Sequence, residues 1–165
     1  MKKIFFLLMI CSLISCSEDS DGDNSYVLYV GSLFHILNDN NEDLLNKNTP
    51  NNLNSDNIRI EYFNESGNYE VFFYEYLDSK YGYEIYTDEN PHIFACGNGF
   101  KRFIINNKIT GIIKWNATER DTIVTEITET PNSLTKTKVW VNGELKYDMH
   151  NGLTPEVITI IKPHL

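Results

Sequence analysis

Downstream of residue 25, the chain repeatedly alternates apolar and polar side chains with the two-residue period of a β-strand. In residues 57–63, Ile58, Ile60 and Tyr62 fall on one face and charged residues on the other. Residues 122–130 alternate just as sharply. The same reasoning predicts further strands over residues 26–37, 69–77, 83–87, 92–96, 100–105, 109–115, 134–141, 144–148 and 157–161.

Turn signals separate these predicted strands. Asn142-Gly143 lies between two strand-like runs, and this dipeptide favours a type I′ hairpin because both residues tolerate positive φ. Residues 64–68 predict a second hairpin turn, whereas residues 43–46 could form one helical turn at most. The sequence therefore predicts an all-β fold: an antiparallel, two-sheet, immunoglobulin-like sandwich. A lipocalin-like β-barrel is the alternative.

The N-terminus has a different pattern. Lys2 and Lys3 precede an apolar run over residues 4–14, which is too short for a bilayer span of about 20 residues and is typical of a secretory signal. Leu13-Ile14-Ser15-Cys16 resembles the lipobox of bacterial lipoproteins. The resemblance implies cleavage before Cys16 and attachment of lipid, including palmitate, to this cysteine. It predicts a signal peptide at 1–15, a tether at 16–25 and one β-sandwich domain at 26–165.

The tether is acidic, with four carboxylates between residues 18 and 23. This stretch resembles the export signal of Bacteroidetes-type surface lipoproteins, and the alternative interpretation is a solvated spacer. Residues 112–148 also resemble uncharacterised lipoproteins of that group, which share a Trp, an Asp-Thr-Ile and a Lys-Val-Trp before an Asn-Gly hairpin. The resemblance implies an outer-membrane, lipid-anchored protein exposed at the cell surface, but no activity.

Composition narrows the partners further. Loss of Lys2 and Lys3 with the signal lowers Lys plus Arg from 14 to 12 against 23 acidic residues, a formal charge of −11. Such a charge disfavours nucleic acid and anionic lipid surfaces, which bind clustered Lys and Arg. Only Cys96 remains besides Cys11 in the signal and the lipidated Cys16, so no disulfide within the mature domain is expected.

Motifs for catalysis or metal binding are weak. Residues 39–43 match the start of a calcium loop, but Leu44 and Pro50 occupy the positions of its glycine and bidentate glutamate. His92 and Cys96 share one predicted strand face, without a base or orienting partner for a nucleophilic site. We interpret Cys96 as a buried structural residue. We expect no enzyme activity, no metal site and no cofactor.

The candidate ligand contacts are aromatic. Residues 69–86 carry eight Tyr and Phe side chains. On strand alternation Tyr74 and Tyr76 share a face, and exposed aromatic rings can stack on glycans or proteins. The alternative is that strands favour tyrosine in any case and that these rings cover the second sheet or the rim of the sandwich. Thr122 lies in Asp121-Thr122-Ile123, which resembles the short O-glycosylation site of the same phylum.

Two function classes remain open. The first is a non-catalytic surface binding or accessory module with a glycan or protein ligand, marked by exposed aromatic residues on one face. The second is a structural subunit of a surface assembly, marked by an unpaired sheet edge that accepts another chain.

Overall fold

The computed structural model describes residues 27–97 and 101–163, which form twelve strands and two short 3₁₀ turns. The 3₁₀ turns are Ser55–Asn57 and Lys101–Phe103. The strands are β1 (Val27–Tyr29), β2 (Ser32–Asn38), β3 (Arg59–Phe63), β4 (Tyr69–Val71), β5 (Tyr83–Tyr86), β6 (Ile93–Cys96), β7 (Ile104–Ile105), β8 (Lys108–Lys114), β9 (Arg120–Thr130), β10 (Ser133–Val141), β11 (Glu144–Asp148) and β12 (Ile158–Lys162).

The strands form two sheets. The larger sheet has the order β1-β10-β9-β8-β3-β4, with β11 added to β10 and β7 to β8. The smaller sheet has the order β12-β2-β6-β5. Pairing is antiparallel except for β1 on β10 and β12 on β2, which are parallel. The sheets are not closed into a barrel, so the predicted all-β sandwich is confirmed and the barrel alternative is not the architecture found.

Alternating side chains of both sheets meet in one hydrophobic core. Ile58, Ile60 and Tyr62 are buried, as the alternation of residues 57–63 predicts. Across the interface, the rings of Phe94 and Trp115 pack edge to face with centroids 4.9 Å apart. Every such inward residue of a two-sided sandwich is removed from water, which supplies the main driving force for folding.

Three predicted strands differ from those observed. In the last of them along the chain, over residues 100–105, only Ile104–Ile105 is a strand among the described residues, and Lys101–Phe103 forms a 3₁₀ turn instead. The first, over residues 26–37, splits because the chain leaves the larger sheet after Tyr29 and enters the smaller one at Ser32. The second, over residues 69–77, ends at Val71. The Phe72 ring turns into the core beside Gly82, and the positive φ of Gly82, +76°, suits glycine in the turn that closes this loop.

The predicted Asn-Gly hairpin is confirmed. Asn142 and Gly143 both have positive φ, 51° and 84°, between β10 and β11. These values are those that a two-residue type I′ connection requires. The hairpin fixes the position of the C-terminal half of β10, which also pairs with β9.

Candidate functional site

The predicted tyrosines lie together, in a turn-rich loop rather than a strand. Tyr74 is partly buried, and its ring centroid is 4.9 Å from Phe72 and 5.6 Å from Tyr76. Arg102 lies over the Tyr74 ring at 5.3 Å. Tyr76 is 78% exposed. Tyr74 therefore contributes to packing at the core's margin, while Tyr76 presents its ring to solvent.

The other two predicted site residues differ in environment. Cys16 lies outside the described residues. Thr122 is partly buried within β9, and its backbone N–H donates to Asn142 Oδ1 at 2.9 Å. Its neighbour Asp121 is buried. The Asp-Thr-Ile motif is thus part of a paired strand.

A groove of about 870 Å³ opens between the sheets where the chain crosses from β1 to β2. Its volume lies within the range of about 300–1,000 Å³ that is usual for small-molecule sites. The groove is lined mainly by apolar and aromatic side chains, among them Leu28, Leu33, Phe72, Leu77, Tyr83 and Tyr147. Its polar lining includes Ser32, Cys96 and Lys136, and the carboxylates Glu84 and Glu156.

Lys136 is the unusual member of this lining. Only 8% of the residue is exposed, and Nζ donates to the Gly31 carbonyl oxygen at 2.5 Å. The ammonium also lies 4.9 Å from the Tyr147 ring centroid and 5.7 Å from that of Tyr29. No carboxylate of residues 27–97 or 101–163 forms an ion pair with it. Burial lowers the pKa of Lys136, partly offset by Cys96.

A bulge in β10 explains why a lysine points inward. The register of β10 against β9 shifts between Lys136 and Lys138. One extra residue at this point lets Leu134 and Lys136 face the core before the bulge, and Val139 and Val141 after it. Sequence reasoning missed Lys136. A signal for the bulge was present, because the apolar positions of this strand change from even-numbered, at Leu134, to odd-numbered, at Val139 and Val141.

Ser32 and Cys96 lie beside Lys136. They are direct partners across β2 and β6, and the predicted burial of Cys96 at a strand end is confirmed. Ser32 is 1% exposed, and its Oγ has no hydrogen-bond partner within the described part of the chain. Burial raises the pKa of Cys96 to about 12, against opposing effects of Lys136 and the Ser32 backbone N–H. The thiol is therefore protonated at neutral pH and is a poor nucleophile.

A second buried lysine lies at the opposite end of the strands. Lys162 Nζ is 2.6 Å from Asp121 Oδ2. The same carboxylate accepts from Trp115 Nε1 at 2.5 Å and from Asn142 Nδ2 at 2.7 Å. Asp121, Lys162 and Trp115 are buried and the two charges are paired, so the cluster has the features of a structural network.

The calcium-like stretch forms a turn. Asn38 Oδ1 accepts from the backbone N–H groups of Asn40 and Glu42 at 3.0 and 2.9 Å. Asp43 contacts His92 Nδ1 through Oδ2, which also accepts from the His92 backbone N–H at 2.9 Å. Within residues 27–97 and 101–163, no three His, Cys, Asp or Glu side chains are grouped so as to hold a metal ion.

No protein-family model matches the chain, and no curated protein or solved structure shows significant similarity to it. In the part of the chain that the structure describes, no helix has the length and apolar character needed to cross a bilayer. The groove and the N-terminal sequence are therefore the features of this chain that bear on its function.

Proposed function

We propose that this protein is a lipid-anchored, non-catalytic binding module of the outer membrane, exposed at the cell surface, and that its ligand lies in the groove between the sheets. The observation that carries the proposal is a large apolar groove with two buried polar groups in its lining residues. Lys136 Nζ donates to the Gly31 carbonyl but forms no ion pair within the described residues, and Ser32 Oγ has no hydrogen-bond partner there. Apolar sites with a few fixed polar groups are typical of ligand binding.

The chemistry of the groove favours binding over catalysis. The Cys96 thiol of the groove lining is held protonated by burial. Among the described residues that line the groove, none is a histidine that could act as its base. Glu84 accepts from Ser79 Oγ at 2.5 Å and Tyr86 OH at 3.2 Å, which fixes it at the groove's margin.

The aromatic loop supports a second location for a glycan or protein ligand. Tyr76 is the most exposed large apolar side chain of the described residues, and Tyr74 supports it edge to face. Such a ring can stack on a sugar. The groove is the stronger candidate because it encloses a ligand and offers polar groups, whereas Tyr76 offers one flat contact.

A neutral fluorophore tests the groove. The mature chain, residues 16–165 produced without its leader, is titrated with N-phenyl-1-naphthylamine. We expect enhanced fluorescence that is lost in Gly97→Trp, because a Cβ at Gly97 meets no atom within 4 Å and the new ring can occupy the groove. Ala117→Trp, at an exposed site outside the groove lining, is the control and should bind normally. Absence of binding, or equal binding by Gly97→Trp, would contradict the proposal.

The anchor has its own test. In the full-length protein, Cys16→Ser should abolish incorporation of labelled palmitate and release the protein from the outer membrane. Palmitate labelling that persists in the variant would contradict the lipoprotein assignment, and the proposed binding in the groove would be unaffected.

A further inference from the structure

We infer that the groove binds an amphiphilic monocarboxylate, with the carboxylate held by Lys136 Nζ and Ser32 Oγ and the apolar part lying along the groove wall. This inference rests on the proposed function, since it names the ligand class of the same site.

The lining of the groove includes a buried positive charge, the ammonium group of Lys136. A lysine ammonium has three N–H donors, and the described contacts of Lys136 use one of them for the Gly31 carbonyl. The Tyr29 and Tyr147 rings stabilise the cation but do not neutralise it. A buried cation without a counter-ion is costly, and a ligand carboxylate supplies the missing charge.

The hydroxyl of Ser32 is a second polar group available to a ligand. It is buried and lines the groove without a hydrogen-bond partner in the described chain. Ser32 follows Gly31, whose carbonyl binds Lys136, and Ser32 pairs with Cys96, whose pKa Lys136 influences. The contact with the Gly31 carbonyl therefore places the ammonium next to Ser32 in the chain, at the same part of the groove lining. A carboxylate, with two acceptor oxygens, can accept from the ammonium and the hydroxyl.

The composition of the lining favours a ligand with a single negative charge and an apolar body. Among the described residues that line the groove, Lys136 is the one cation, and Glu84 and Glu156 also line the groove. Together with a formal charge of −11 for the mature chain, these carboxylates disfavour ligands that carry several negative charges. The remaining lining is mostly apolar, so a hydrocarbon or aromatic body gains from burial there.

Displacement of N-phenyl-1-naphthylamine from the mature chain at pH 7 tests the inference. Three competitors share one chain length: dodecanoate, dodecanol and dodecyltrimethylammonium, each used below its micelle concentration. We expect dodecanoate to bind at least about tenfold more tightly than dodecanol, the effect of a charge-assisted hydrogen bond, and the cation to bind weakest.

Variants assign this preference to the two residues. Lys136→Met should reduce the preference for dodecanoate to within about twofold, with fluorophore binding retained as evidence of an intact groove. Lys136→Gln, which keeps a donor for Gly31, is the second variant should the methionine fail to fold. Ser32→Ala should weaken dodecanoate binding about threefold to tenfold. Lys138→Met removes the same charge from a partly buried neighbour and should keep the preference.

The outcomes separate the two proposals. Fluorophore binding without a preference for dodecanoate in the wild type would overturn the monocarboxylate inference and leave the groove as a binding site. A preference that persists in both Lys136 variants would also overturn it. Loss of all groove binding would instead contradict the proposed function itself.

Discussion

Lys136 and Lys162 are buried to nearly the same extent, 8% and 5% exposed, in opposite ends of the sandwich, yet their surroundings differ. Lys162 contacts the Asp121 carboxylate, which Trp115 and Asn142 also bind. Lys136 contacts a carbonyl oxygen and two tyrosine rings beside an open groove. Burial alone therefore does not define a structural lysine. The partner of the charge decides whether the protein or a ligand completes the site.

The largest test of this contrast is Asp121→Ala. It leaves Lys162 buried without its closest carboxylate and removes the acceptor of Trp115 Nε1. We expect a loss of about 3–5 kcal/mol in the free energy of unfolding, measured by urea denaturation. Glu144→Ala removes the partner of Lys146 from an exposed pair and should cost no more than about 0.5 kcal/mol. Equal losses of unfolding free energy in the two variants would show that the buried Asp121 network stabilises the protein no more than the Glu144–Lys146 pair does.

A stabilising substitution is expected at the groove. Ser32→Ala removes a buried hydroxyl that has no hydrogen-bond partner in the described chain. The free energy of unfolding should rise by about 1 kcal/mol, because the cost of burying the group is relieved. A drop of similar size would show that the hydroxyl has a stabilising partner in the apo protein, and the contrast between the two ends of the sandwich would weaken.

Lys136→Met should have a smaller effect. The variant loses the bond to the Gly31 carbonyl but also loses the cost of burying an ammonium group, and the two effects oppose each other. We expect a change within about 1 kcal/mol in the same denaturation experiment. A loss as large as that of Asp121→Ala would mean that Lys136, like Lys162, is retained for stability.

The smallest expected effect is the pH dependence of the difference in unfolding free energy between the wild type and Lys136→Met. Burial lowers the pKa of Lys136 in the folded state below 10.5, its ordinary value. At alkaline pH the unfolded chain then binds more protons at this group than the folded protein does. Wild-type stability relative to Lys136→Met should therefore rise as pH increases through the folded pKa towards 10.5. A difference that stays flat or falls over this window in paired denaturation curves would contradict the burial of a charged Lys136.

Alternation predicted the fold well because each strand buries one face. It placed Ile58, Ile60 and Tyr62 in the core and marked the Asn142-Gly143 hairpin. The loop after Val71 was missed because its aromatic residues also suit a strand, and only the packing of Phe72 ends the strand there.

The groove was less accessible to sequence reasoning. Lys136, Ser32 and Gly31 come together through the parallel pairing of β1 with β10, a contact across about a hundred residues that no local pattern encodes. The Asp121–Lys162 pair is also distant in sequence. By contrast, the apolar positions of β10 change from an even-numbered residue, Leu134, to an odd-numbered one, Val139. This change was visible in the sequence and could have indicated the bulge that turns Lys136 inward.

We propose that the Lys136 end of the sandwich binds a ligand and the Lys162 end does not. Backbone amide NMR of the mature chain, titrated with dodecanoate below its micelle concentration, distinguishes the two ends residue by residue. We expect chemical-shift changes concentrated at Gly31, Ser32 and Cys96, with the amide shifts of Asp121 and Lys162 unchanged. Shifts confined to the Tyr76 loop, or no shifts at saturating dodecanoate, would contradict it.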